Sequence, residues 1–226
     1  MKTYPMFALI DGAPVLVVGG GAVGERKVLD LLEAGALVTV ASPEVTPLLA
    51  RLADQGAIRH LPQEFYPELV AGSALVVGAT DDARVNAAIS AAARQRGIFV
   101  NIVDQPDLCT FIVPAQVKRG GLTIAVSTGG ASPALARKIR ERLEEVFGPE
   151  YGPYLELLQR VRERLLAVRR GHPDNARLFK RLVDSPLQPA LSRGDREGLL
   201  HLLREVCGDV LDIDTLRDLV ERVVEQ

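Results

Sequence analysis

Three glycines, Gly19, Gly21 and Gly24, stand in the spacing G-x-G-x-x-G within the run Gly19-Gly20-Gly21-Ala22-Val23-Gly24. Each answers a steric demand of a loop that wraps a pyrophosphate. The first allows a tight turn, the second lets the backbone approach the phosphates, and the third lets helix and strand pack closely. A helix opening directly after the loop turns unpaired N–H groups and a partial positive charge towards the anion. The bare pattern also occurs as a structural turn, and its setting between a strand and a helix favours the nucleotide reading. The acid that usually ends the second strand and reads the ribose is missing, because Ala41-Ser42-Pro43 stands there. The nearest acid is Glu44, twenty residues after Gly24, and two readings of it stand open: a ribose contact beside Pro43, or a first-turn helix residue. No Arg or Lys lies between Val28 and Ala50, so nothing in that stretch greets a 2′-phosphate, and NAD is expected over NADP.

A second set of polar residues falls at strand ends. Asp104 closes the apolar run Ile98–Asp104, and in open α/β sheets ligands bind beyond the carboxyl ends of the strands. A carboxylate there serves as a general base or touches a metal, or it merely caps the turn before Gln105-Pro106-Asp107. Asn101, inside the same strand, is either a satisfied buried amide or a cofactor contact. Thr80-Asp81 ends the preceding strand at the same rim, with Asp81 open between a helix cap and a site residue. A further glycine loop, Thr128-Gly129-Gly130-Ala131-Ser132-Pro133, precedes a helix and offers backbone N–H groups to an anion. Around it lie Lys118, Arg119, Arg137, Lys138, Arg140 and Arg142, against Glu141 alone between residues 113 and 142. That surplus reads as a solvated helix face or as a docking strip for a ligand with many carboxylates. His60, His172 and His201 are scattered without metal-ligand spacing, and Cys109 has no partner motif. A G-x-S-x-G elbow, a Walker lysine motif and a CxxC pair are all absent.

The elements that must position these residues alternate strand and helix. Pro14–Gly19 is a continuous apolar run, as a parallel strand buried on both faces reads. Further strands are expected at Ala36–Ala41, Ile58–Leu61, Ala74–Ala79 and Ile98–Asp104, with helices over Ala22–Ala34, Glu44–Asp54 and after Asp81-Asp82. This order implies an α/β, Rossmann-like, doubly wound parallel sheet over residues 1–112. Phe111–Lys118 and Leu122–Thr128 flank Gly120-Gly121 as a hairpin, followed by a helix capped by Ser132 and running to about Phe147. That hairpin and helix, residues 113–150, form an expected dimerisation region. Beyond Gly148-Pro149 and Gly152-Pro153, residues 151–226 read as a helical C-terminal domain. There, apolar residues recur as Leu155, Leu158, Val161 and Leu165, then Leu199, Leu203 and Val206, then Leu216, Leu219 and Val223.

The 226 residues carry a formal net charge of −2, which argues against a general nucleic-acid binder. Two cysteines build no disulfide framework, so a reducing, cytoplasmic setting is expected. The apolar run Pro5–Ile10 ends at Asp11, too short for a signal-peptide core, and no membrane span is expected.

Taken in order, Gly19–Lys27, Ala79-Thr80-Asp81-Asp82, Asn101-Ile102-Val103-Asp104, Phe111-Ile112-Val113-Pro114-Ala115 and Ser127–Pro133 resemble the precorrin-2 dehydrogenase/sirohydrochlorin ferrochelatase family, the first half of sirohaem synthases. The resemblance is good to about residue 150 and weak to about residue 208. It implies NAD-dependent oxidation of precorrin-2 to sirohydrochlorin, then insertion of Fe²⁺ as a substrate to give sirohaem. The family's catalytic aspartate falls on Asp104, which would also meet Fe²⁺ transiently, and its cofactor contacts fall on Ala22-Val23 and Pro43-Glu44. The substrate's eight carboxylates give Thr128, Gly129, Gly130, Ser132, Arg137 and Lys138 a purpose. A homodimer and a separate uroporphyrinogen methyltransferase upstream are also implied. Where some members carry a phosphorylatable serine, this chain has Thr128. Two rivals stay open: a dehydrogenase without chelatase activity, and an NAD-sensing regulatory module without turnover.

Overall fold

The computed structural model describes residues 2–224. Contacts divide the chain into two units, Tyr4–Val113 and the part from Pro114 onward.

The first unit is built on five parallel strands: β1 (Pro14–Val18), β2 (Leu37–Ala41), β3 (Arg59–Leu61), β4 (Leu75–Gly78) and β5 (Phe99–Ile102). Their order is β3-β2-β1-β4-β5, so the chain starts in the middle and winds outward both ways. The direction reverses between β1 and β4, which pair in parallel from Val15↔Leu75 to Val18↔Gly78. Helices α1 (Ala22–Glu33) and α2 (Pro47–Asp54) cover one face, over a core that includes Val15, Val17, Val28, Val38, Val40 and Leu49. Helix α3 (Ala83–Gln95) covers the other, over Leu16, Val18, Val76, Ile89, Val100 and Ile102. Alternate residues of β1 thus serve opposite faces, which is why the strand is apolar throughout. This is the doubly wound Rossmann-like sheet expected from the sequence.

Several ends differ from the sequence expectation. Helix α2 begins at Pro47 rather than Glu44, because Thr46 is its cap: the Thr46 hydroxyl accepts from Leu49 N–H at 3.3 Å. Strand β5 stops at Ile102, two residues short of Asp104, where the backbone turns left-handed. A short 3-10 turn at Pro67–Val70 lies between β3 and β4.

The second unit opens with the hairpin β6 (Ala115–Arg119) and β7 (Leu122–Val126), closed by Gly120-Gly121 with Gly120 at φ 56°. Helix α4 (Pro133–Val146) follows, its Ser132 cap accepting from Leu135 N–H at 3.2 Å. Then come α5 (Tyr151–Arg169), α6 (Asn175–Asp184), α7 (Leu187–Ser192), α8 (Arg196–Cys207) and α9 (Ile213–Val224). Their core gathers Leu157, Val161, Leu165, Leu182, Leu199, Leu203, Leu216 and Leu219. On α5 the buried line is Tyr154, Leu157, Val161 and Leu165, so Leu155 and Leu158 flank the stripe rather than form it.

The glycine–proline pairs do not part the hairpin from these helices. Gly152-Pro153 sits inside the first turn of α5, where a missing proline N–H costs nothing. A Cβ on Gly120 would lie 3.1 Å from the Gly152 Cα, so the hairpin turn packs directly on α5 at glycine distance. The hairpin, α4 and the later helices therefore belong to one unit.

Candidate functional site

The loop after β1 is shaped by contact with its own neighbours. Gly19 adopts φ 110°, and a Cβ on it would fall 2.3 Å from the Ala79 carbonyl oxygen. A Cβ on Gly24 would fall 2.1 Å from the Gly19 carbonyl oxygen. Both glycines are therefore required by the protein itself, for the turn and for the close seating of α1 on β1. Gly21 is different. Its backbone (φ −77°, ψ −175°) suits any residue, and a Cβ there would meet no protein atom within 4 Å. Nothing in the fold demands glycine at that position, and the space beside it is open.

Among the described residues, α1 is the one α-helix of the first unit whose N-terminus lacks a side-chain cap. Thr46 caps α2, and Asp82 caps α3 by accepting from Arg84 N–H at 2.7 Å and Val85 N–H at 3.3 Å. Those two N–H groups hold the Asp82 carboxyl below its ordinary pKa. Asp82 is therefore the cap, and Asp81 is released to the cleft wall. The first-turn N–H groups of α1 have no such partner, as an anion site requires. Thr46 also donates its hydroxyl to Glu25 Oε2, and its N–H donates to the Gly20 carbonyl at 3.0 Å, tying the glycine loop to the start of α2.

A cleft of about 810 Å³ opens at the point where the strand order reverses. It is lined by Gly19–Val23 after β1, Ser42-Pro43 after β2, Gln63–Phe65 after β3, Ala79–Asp82 after β4, and Val103–Gln105 after β5. That volume lies within the range for small-molecule and cofactor sites. The expected residues Gly19, Gly21, Ala22, Val23, Pro43, Thr80 and Asp104 all meet there. Gly24 stands behind the loop, as packing requires.

Two expected cofactor contacts stand elsewhere. Glu44 is exposed and off the cleft wall, and its carbonyl accepts from the Ser42 hydroxyl at 2.6 Å. Asn101 braces the chain: its Nδ2 donates to the Phe111 carbonyl at 3.1 Å, outside the cleft. Thr80 lines the cleft with its hydroxyl directed to Asn86 Oδ1 at 2.9 Å, and Asn86 Nδ2 returns a bond to the Thr80 carbonyl at 3.0 Å. Sequence reasoning missed Gln63, Glu64 and Phe65. They follow a three-residue strand whose pattern is too short to announce an active edge. The cleft wall carries Glu64, Asp81, Asp82 and Asp104 and no Lys or Arg among the described residues.

Asp104 is the one non-glycine residue with positive φ among the described residues, at 59°. Aspartate enters this region more readily than most, yet the conformation still costs about 1 kcal/mol or more. It is exposed on the cleft wall opposite the glycine loop in strand order.

In the second unit, Thr128–Ser132 is a self-closed loop. Thr128 Oγ1 accepts from Ser132 N–H at 3.1 Å and donates to the Ser132 carbonyl at 3.0 Å. The Gly129 N–H donates to Ser127 Oγ at 3.2 Å, and the Ala131 N–H to the Thr128 carbonyl at 3.0 Å. Most of the N–H groups expected to meet an anion are thus committed within the loop. The basic surplus is also reduced, because Glu144 and Glu145 lie just past the stretch counted above. Arg137 Nε bonds Glu141 at 2.9 Å, Arg140 bonds Glu144 at 2.5 Å, and Arg119 Nε donates to the Phe147 carbonyl at 2.9 Å, capping α4. Lys138 is exposed and makes no ion pair among the described residues. No group of three or more His, Cys, Asp or Glu among the described residues is disposed to hold a metal.

Comparison with known proteins gives this geometry a lineage. A family model described as "Putative NAD(P)-binding" matches residues 6–115, and one described as "Sirohaem biosynthesis protein central" matches residues 119–145. The solved structure of SirC, precorrin-2 dehydrogenase, aligns with a TM-score of 0.76 at 26% identity, covering 90% of this chain and 98% of that one. The chain is thus similar, in fold and in sequence, to a precorrin-2 dehydrogenase and to sirohaem-biosynthesis proteins. Among curated relatives, a siroheme synthase of Methylobacillus flagellatus is 49% identical over 207 residues, covering 91% of this chain and 44% of the relative. Siroheme synthase 3 of Aeromonas hydrophila is 43% identical over 210 residues, covering 92% of this chain and 45% of the relative. The chain thus spans less than half the length of these curated relatives. The NAD(P)-binding match ends within two residues of the boundary between the two units, so the matched region coincides with the first unit. Among the described residues, no helix is long and apolar enough to cross a membrane.

Proposed function

We propose that this chain oxidises precorrin-2 to sirohydrochlorin with NAD, and that Fe²⁺ insertion to sirohaem follows at the same carboxylate. One observation carries the reading. The strained Asp104 and the glycine loop line a single cleft, with Gly21 open to the approach of phosphates. Gly19–Val23 and the α1 N-terminus would hold the pyrophosphate, with Ser42-Pro43 and Gln63–Phe65 on the ribose side. Bound there, nicotinamide supplies the hydride acceptor. The absence of Lys and Arg from the cleft wall among the described residues favours NAD over NADP, since a 2′-phosphate would find carboxylates in place of a cationic partner.

Oxidation removes a hydride and a proton from the substrate. The Asp104 carboxylate takes the proton, a role worth about 10²–10⁴-fold in rate. Chelation exchanges two pyrrole protons for Fe²⁺, and the same hard oxygen accepts those protons or guides the metal in passing. Thr128, Gly130, Ser132, Arg137 and Lys138 provide contacts for substrate carboxylates, with Lys138 the principal charge. Gly129 serves through its backbone shape, since its N–H is engaged. The chain works as a homodimer in the cytoplasm, on substrate supplied by a uroporphyrinogen methyltransferase activity. The dimer reading rests on a thinly covered hairpin and helix: α4 fully buries only Ala136, while Leu135 and Val146 are 49% and 63% exposed.

The test is anaerobic incubation with precorrin-2 and NAD⁺, followed spectroscopically before and after adding Fe²⁺, for wild type and Asp104→Ala. Wild type should oxidise and then chelate, and the variant should lose oxidation by the stated factor while still binding NAD⁺. Oxidation without chelation assigns the dehydrogenase-only function. NAD⁺ binding without turnover assigns the sensing module and overturns the enzymatic reading.

A further inference from the structure

The turn that presents Asp104 is fastened by a side chain with no part in the chemistry above. Strand β5 ends at Ile102, the backbone passes through Asp104 at φ 59°, and the chain returns past Cys109. The Cys109 Sγ accepts from Ile102 N–H at 3.2 Å. It also lies 3.3 Å from the Ile102 carbonyl oxygen and 3.4 Å from the Gln105 carbonyl oxygen, either of which can take its S–H. Cys109 thereby reaches the backbone on both flanks of Asp104. Asn101 Nδ2 adds a contact to the same sulfur at 3.7 Å.

The ends of the loop are secured from other directions. Ser90 Oγ donates to the Leu108 carbonyl at 2.7 Å, and Arg94 Nη2 donates to the Cys109 carbonyl at 2.9 Å. Thr110 Oγ1 accepts from Val100 N–H at 2.8 Å. These bonds hold 108–110 against α3 and β5. None of them touches residues 103–105, and the left-handed step at Asp104 has Cys109 as its side-chain support among the described residues. A thiol suits the task, because one polarisable atom at the end of a long C–S bond accepts one hydrogen bond and donates another.

We propose that Cys109 is a positioning residue for Asp104: its thiol holds the Ile102–Gln105 backbone in the turn that keeps the carboxylate on the cleft wall. The proposal rests on the catalytic reading of Asp104. Loss of the thiol lets the turn relax, and displacement of a catalytic group by a fraction of an ångström costs about tenfold in rate.

The experiment uses the full chain with Cys109→Ala, Cys109→Ser, Asp104→Ala and the Asp104→Ala/Cys109→Ala double variant. Precorrin-2 oxidation, NAD⁺ affinity by calorimetry and thermal unfolding are measured on each. Cys109→Ala should lower kcat about tenfold, with KM and NAD⁺ affinity within about twofold of wild type. The serine variant should recover part of the loss, because its shorter hydroxyl still bonds Ile102 N–H. In the Asp104→Ala background the alanine change should have no further effect on kcat, as expected when one residue acts through the other. A merely structural cysteine would lower the unfolding temperature and leave kcat per folded molecule intact, which overturns the proposal. Should the alanine variant fail to fold, the serine variant decides, and a wild-type kcat in it also overturns the proposal. Full oxidation by Asp104→Ala alone would instead refute the role of Asp104 itself.

Discussion

Substituting Gly21 by alanine separates what the glycine loop does for the fold from what it does for a ligand. The backbone at Gly21 is open to any L-residue, and its added methyl meets nothing within 4 Å. Alanine is a poorer N-cap than glycine by roughly 0.5–1 kcal/mol. Replacing glycine at a compatible φ returns about 0.4–1 kcal/mol by restricting the unfolded chain. The two nearly cancel, so the unfolding temperature should move by no more than about 4 °C. Ligand binding should respond otherwise. The methyl projects where backbone N–H groups meet the pyrophosphate, and one lost bond to a charged oxygen is worth about 1.5–3 kcal/mol. That corresponds to roughly tenfold to 150-fold weaker NAD⁺ binding in calorimetry. Gly24→Ala is the control, because its methyl would sit 2.1 Å from the Gly19 carbonyl oxygen. Overpacking there costs about 1–3 kcal/mol and should lower the unfolding temperature by several degrees. Unchanged NAD⁺ affinity in a stably folded Gly21→Ala protein would refute the placement of the cofactor.

Lys138→Glu should weaken tetrapyrrole binding about tenfold or more and leave NAD⁺ affinity unchanged, while Arg137→Glu, already paired with Glu141, should do less; equal loss of both ligands would indicate misfolding. Burial pushes the Cys207 thiol from 9.0 up to about 11, so the folded protein holds this proton more tightly than the unfolded chain. Its contribution is complete below about pH 9 and is lost as pH rises towards 11, so unfolding midpoints should fall across that window less steeply in Cys207→Ala than in wild type. Sedimentation at micromolar concentration should show a dimer, and replacing Leu135 and Val146 by glutamate should shift it towards monomer; a wild-type monomer would contradict the dimer.

Much of the first unit is legible in the residues themselves. A strand buried on both faces must be apolar at every position, and Val15–Val18 is. A loop in which an added Cβ would fall within 2.3 Å of a backbone oxygen must be glycine there, as at Gly19 and Gly24, and these local steric demands fix the fingerprint. Ser132-Pro133 announces the start of α4 for the same reason, since cap and first turn are local chemistry. What the sequence left open depended on which strand end meets which. Gln63–Phe65 join the cleft because β3 pairs beside β2, a long-range fact that three residues of strand do not declare. Asn101 and Glu44 leave the cleft because of where the chain runs after β5 and how Ser42 folds the turn after β2. The surplus of positive charge around Thr128 was real in the count and smaller in space, because a helix brings Glu141 and Glu144 one turn from Arg137 and Arg140. Composition and spacing thus determined the elements and the glycine loop after β1. Only tertiary structure decided which carboxylates share its cleft and which thiol steadies one of them, because those contacts join residues whose nearness is set by strand order and turn geometry rather than by spacing along the chain.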